Sequence, residues 1–243
     1  MFNLQFWFSM ALGLGSLQHD LNSVQRWIRP ADPKPILGPY LNDFRVRRPQ
    51  TVAQHCVEAE EICNFFIMIF GPYLAQQGIP LDVWLLQNAV RVHDFGEGSR
   101  AHVGHDVILS DKRDEHDKKE YDYFVEWLQH TYPDPACAEL RQQLTRAFLL
   151  QFCLNGHELL PTEILTELRE KRRMEALLFM AIEKWGYLLY AMEQYQRYGN
   201  RTILADVISR NTAAYLWLAD NLPGFVEVCW TEEMQTWCHE HLA

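Results

Sequence analysis

The spacing of apolar residues constrains this chain more than any other feature. Hydrophobic side chains recur at three- and four-residue steps through Val52 to Phe70, Leu81 to Phe95, Tyr121 to Leu128, Leu140 to Leu154, Ile164 to Tyr195 and Ile203 to Leu222. That period places them on one face of a helix, and the two-residue alternation of a half-buried strand is nearly absent. Breakers separate the runs: Pro72 after Gly71, Gly78 with Pro80, Pro133 with Pro135, Gly156 with Pro161, and Gly199. The stretch from Arg29 to Pro39 holds Pro30, Pro33, Pro35 and Pro39 and reads as an extended crossover. No internal repeat or low-complexity linker divides the chain. The expectation is an all-α protein with one helical bundle over 43–222. An N-terminal helix and proline-rich crossover over 1–42 precede it, and a helical tail over 223–243 follows.

With 243 residues, 48% of them hydrophobic, the chain can bury a sizeable core. Its formal charge of −10 argues against duplex nucleic acid as a partner, since a phosphate backbone calls for a basic surface. A small phosphorylated ligand stays compatible, because a metal ion and a few arginines can make one cleft locally positive. The six cysteines are scattered without a CxxC pair and read as reduced core residues. The apolar start, Met1 to Leu17, lacks a basic leader and is interrupted by Asn3, Gln5 and Ser9, unlike a signal peptide. No membrane span is expected, and the chain reads as cytoplasmic.

Single histidines mean little in a chain with ten of them, but His93-Asp94 has a setting. The doublet ends an apolar helical run (Trp84, Leu85, Leu86, Ala89, Val90, Val92) and precedes Phe95-Gly96-Glu97-Gly98. On a continuing helix Glu97 would share the face of His93 and Asp94. An imidazole nitrogen beside a carboxylate oxygen can hold one divalent ion, with a third acid within reach of a water on it. His55 falls on the first turn of its own helix, after Thr51. Glu183 is the acid within an apolar stretch that includes Leu177, Leu178, Ile182, Leu188 and Leu189. Gly186 weakens the middle of that stretch by about 1 kcal/mol relative to alanine, so Ile164 to Tyr195 is one long helix or two. A buried acid needs a partner, and Lys184, an arginine or a metal ion would each serve.

The order Arg48-x-x-Thr-Val-Ala-x-His55, then Val-His93-Asp94-x-x-Glu97-Gly, then Ala-Ile-Glu183-Lys-Trp-Gly resembles the HD-domain metal-dependent phosphohydrolases. Within that superfamily it is most similar to the bacterial 5′-deoxynucleotidase branch, and the resemblance is colinear from about Asp43 to Leu222. It implies an all-α HD domain that takes a small nucleotide as substrate, pairs with a second copy in a homodimer and engages no membrane. His55, His93, Asp94 and Glu183 would hold one divalent ion: Mn²⁺, Co²⁺, Fe²⁺, Ni²⁺ or Mg²⁺. Glu97 would handle the proton of the attacking water or leaving group. Asp106 would lie near the substrate sugar, and Arg45, Arg48 and Lys112 would meet phosphate.

The implied activity is removal of phosphate from a (deoxy)nucleoside 5′-monophosphate. The alternatives are a nucleoside triphosphate triphosphohydrolase and a catalytically degenerate scaffold that binds nucleotide or protein. Glu183 stands where the family has aspartate, and Asp206 is the rival late ligand. His102 with His105, and the tail Cys238-His239-x-His241, offer further metal donors. The charge-rich stretch Asp111 to Asp122 reads as a solvated face.

Overall fold

The computed structural model describes residues 15–22, 50–99 and 113–242. Its regular structure is helical, with no strand among the described residues. Helix α1 (15–22) is followed by α2 (Val52–Gln76), α3 (Val83–Val92) and a 3₁₀ segment (Phe95–Ser99). Next come α4 (Arg113–Thr131), α5 (Ala138–Leu149) and a 3₁₀ turn (Leu150–Phe152). Helices α6 (Thr162–Lys171), α7 (Arg173–Tyr198), α8 (Arg201–Asn221), α9 (Phe225–Val228) and α10 (Glu232–Leu242) complete the described chain.

Helix α3 is the centre of the bundle, packed against α2, α5 and α7. Leu85, Leu86, Ala89, Val90 and Val92 are buried along it, which is what its three- and four-residue spacing dictates. Its start is held from two sides. The Asp82 side chain accepts from the Leu85 amide at 3.0 Å, and Glu175 of α7 accepts from the Asp82 amide at 2.7 Å. Phe124 of α4 stacks on Phe148 of α5 at 4.5 Å, joining those helices to the same core. Phe225, Trp230 and Cys238 from the last segments enter that core too. Leu17 and Leu21 of α1 pack with Val52 and Cys56, and Tyr123 donates to Asp20 at 2.7 Å.

Two boundaries differ from the sequence expectation. Helix α2 continues through Pro72 instead of stopping there. Proline cannot donate to the carbonyl four residues back, that of Met68, but Pro72 and Met68 both face solvent and water can take that carbonyl. The long run after Ile164 is two helices, yet the break is at Arg172 and Gly186 lies inside α7. Arg172 leaves helical geometry (φ −130°, ψ 27°), and its guanidinium sits 3.4 Å from Asp82. At the far end of α7 the left-handed Gly199 (φ 68°) returns its amide to Tyr195 at 2.8 Å, closing the helix. No helix among the described residues is long and apolar enough to cross a membrane.

Candidate metal centre

Three helices bring donors to one point. Thr51 caps α2, its side chain accepting from the Gln54 amide while Gln54 accepts from the Thr51 amide at 2.9 Å. That reciprocal cap fixes the helix start and leaves His55 on the first turn, buried. His93 closes the C-terminus of α3, and Glu183 projects from the buried side of α7. His93 Nε2 lies 3.3 Å from His55 Nε2, 3.1 Å from Glu183 Oε1 and 3.3 Å from Asp94 Oδ2. His55 Nε2 lies 3.5 Å from Glu183 Oε1 and 3.6 Å from Asp94 Oδ2. His55, His93 and Glu183 form the compact set, their donor atoms within 4.8 Å of one another, and Asp94 contacts both imidazoles.

These separations are compatible with coordination geometry. Donors about 2.1 Å from a shared ion stand about 3.0–3.4 Å apart in octahedral or tetrahedral arrangements. The observed spacings run from 3.1 to 3.6 Å, within that range or just above it. Glu183 Oε1 is buried and faces the imidazole pair.

The proton positions agree with a ligand role. His93 Nδ1 is 2.7 Å from the Val90 carbonyl, which can only accept, so Nδ1 carries a proton and donates. In neutral His93 the lone pair is then on Nε2, aimed at the other donors. Gln151 donates to the His93 carbonyl at 2.9 Å and to that of Phe148 at 3.1 Å, holding the backbone behind the ring. Phe179 meets the His93 ring edge-on at 5.5 Å, and Tyr187 lies nearly parallel to His55 at 6.3 Å.

Without an ion, the cluster holds itself together by charge. Burial disfavours an imidazolium at His93, but the Asp94 and Glu183 carboxylates outweigh it and hold its pKa well above 6.5. Burial likewise pushes the Glu183 carboxyl up, and the His93 and His55 imidazoles more than reverse this, keeping it well below 4.5. The C-terminal end of α3 adds partial negative charge beside His93, which favours a cation there. His55, His93 and Glu183 thus form a buried donor set that could hold a metal ion.

Glu97 sits in the 3₁₀ segment rather than on a continuation of α3, half-buried, its amide donating to the Asp94 carbonyl at 3.0 Å. The segment is pressed onto α4. A Cβ on Gly96 would stand 2.6 Å from Glu120 Cβ and 2.7 Å from its backbone oxygen, and one on Gly98 would stand 2.8 Å from the Tyr123 hydroxyl oxygen. The close approach excludes a side chain at Gly96 and sets where Glu97 starts. Asp206, the rival ligand, is elsewhere, accepting from Arg210 one turn along α8 at 2.9 Å. Lys184 lies over the Tyr187 ring at 5.4 Å.

Arg45, Arg48, Asp106 and Lys112 lie outside the described residues, as do His102 and His105. The tail donors do not gather: Cys238 is buried in the core with its thiol pushed up to about 11 by burial, and His241 stacks on Trp237 at 4.1 Å. Sequence reasoning missed Phe179 and Tyr187, which sit one turn either side of Glu183 and were open to the same helical spacing. Gln151 carries no sequence signal. In comparisons with known proteins, no family model, no curated protein and no solved structure matches the chain.

Proposed function

We propose that the chain is a divalent-metal-dependent phosphohydrolase of the HD type, acting on a (deoxy)nucleoside 5′-monophosphate. The observation that carries this reading is the convergence of His55, His93 and Glu183, with Asp94 against both imidazoles, at separations suited to one ion. The set mixes nitrogen and oxygen donors, which suits Mn²⁺, Co²⁺, Fe²⁺ or Ni²⁺ and admits Mg²⁺. Bound there, such an ion would supply Lewis-acid activation of water and of a phosphate oxygen.

The chain's own groups have defined parts in this proposal. Val90 and Gln151 hold His93 in one tautomer and orientation. Glu97, on the segment clamped to α4, moves a proton to the departing sugar oxygen or from the attacking water. Arg45, Arg48 and Lys112 offset phosphate charge and Asp106 meets the sugar, assignments that rest on the sequence resemblance.

The test has two stages. Mn²⁺ or Co²⁺ titrated calorimetrically into chelator-stripped protein should reveal a tight site that His93→Ala loses while its circular dichroism is unchanged. Loaded protein should then release inorganic phosphate from nucleoside 5′-monophosphates. Triphosphate as the product from nucleoside triphosphates would redirect the substrate assignment. Full metal-dependent turnover by His93→Ala would end the proposal.

A further inference from the structure

A second set of donors shares no residue with the first. Asp114 and Asp117 lie three residues apart at the start of α4 and so share a face. Opposite them the chain returns through a turn after Phe152 that brings in His157. Gly156 makes the turn in the left-handed region (φ 71°), and Arg169 pins it by donating to the Cys153 carbonyl at 2.7 Å. Phe152 packs edge-on against the His157 ring at 5.7 Å, fixing its direction.

His157 Nε2 stands 3.5 Å from Asp114 Oδ1 and 3.5 Å from Asp117 Oδ2. All three donor atoms lie within 4.8 Å of one another. The His157 side chain is 3% exposed, and its Nε2 is buried with no hydrogen-bond partner. A built turn thus aims an unpartnered imidazole nitrogen at two carboxylates, at separations near the about 3.4 Å of donors around a shared ion.

We infer that Asp114, Asp117 and His157 form a second site, for a divalent transition-metal ion such as Mn²⁺ or Zn²⁺. One nitrogen and two carboxylates suit those ions better than Ca²⁺ or Mg²⁺, which favour all-oxygen shells. Asp114 is 57% exposed, so the remaining positions open to water. The Leu159 amide donates to His157 Nδ1 at 3.2 Å, which puts the neutral ring's proton on Nε2. Binding through Nε2 would require that proton to move to Nδ1 and the Leu159 amide to give up this hydrogen bond, on a turn where Leu159 is exposed. The ion would tie the start of α4 to the turn after Phe152. It needs no catalysis at the first centre.

The test counts ions. Chelator-stripped protein titrated with Mn²⁺ or Zn²⁺ alone should bind two per chain, by calorimetry and metal analysis. His157→Gln and Asp117→Asn should each weaken one site at least tenfold and keep the site that His93→Ala loses. The His157 ring nitrogens should change ¹⁵N shift on loading, in the sense of proton transfer to Nδ1. Should His157→Gln fail to fold, Asp114→Asn at the exposed position reads the same site. One ion per chain, lost in His93→Ala and kept in His157→Gln, overturns this inference and leaves the first centre standing. One ion lost only in His157→Gln does the reverse. Unchanged affinity in His157→Gln and Asp114→Asn also overturns it.

Discussion

Glu183 reaches the imidazoles because it is one methylene longer than aspartate. Shortening it to aspartate would withdraw the carboxylate by about 1.3 Å, against a coordination tolerance of about 0.2 Å. Glu183→Asp should therefore weaken Mn²⁺ binding at least tenfold in a calorimetric titration, although aspartate is what the resemblance calls for at this position. Equal affinity would mean that Glu183 is not a donor. The donors were legible because a doublet at a helix end and an acid in an apolar stretch are both unusual settings. Glu183 and Asp206 could not be separated in sequence, since order along the chain does not say which helix face turns inward. The structure separates them by pairing Asp206 with Arg210 on α8. The spacing of Glu97 from the doublet allows a continuing helix. The helix ends sooner, and the next segment lies against Glu120 and Tyr123, contacts that only the folded chain displays.

Among the elements, α7 carries the most information about what its sequence can tolerate. Its apolar spacing predicts a helix but does not locate the interruption. Gly186 has the weak propensity, yet the break is at Arg172, whose guanidinium meets Asp82 outside the helix. A Cβ at Gly186 would meet only Ile62 Cδ1, at 3.5 Å, an ordinary contact. Gly186→Ala should accordingly stabilise the protein by about 0.5–1 kcal/mol in urea unfolding, by helix propensity alone. Glu175→Ala should act in the opposite sense. It removes the acceptor of the half-buried Asp82 amide and leaves Arg172 one carboxylate fewer, costing about 1–3 kcal/mol by the same measurement. Because Asp82 caps the start of α3 and His93 its end, that variant should also weaken metal binding. Unchanged metal affinity would show that the two ends of α3 are mechanically separate.

For the whole molecule, an ion at the proposed centre would link pH and metal through one cluster. In metal-free protein His93 is held above its ordinary value of 6.5. Its share of stability is complete below that pH and is lost as pH rises through the raised value. Glu183, held below its ordinary 4.5, contributes fully above that pH and loses its share as pH falls through the lowered value. The metal-free cluster is thus most stabilising between 4.5 and 6.5. Metal held by His93 would take the place of its Nε2 proton, so its advantage would grow as protons become scarce. The gap in Tm between metal-loaded and chelator-treated protein should widen from about pH 6 to about pH 8, and a constant gap would dissociate His93 from the ion. The contact of Gly96 with α4 reaches beyond this one chain. His-Asp doublets arise by chance in many sequences, whereas a residue that must lack a side chain because a helix backbone lies 2.7 Å from where its Cβ would be is forced by architecture. A distant homologue is therefore better recognised by a glycine two positions after the doublet than by the doublet, and a chain with any other residue there must have moved the helix behind it.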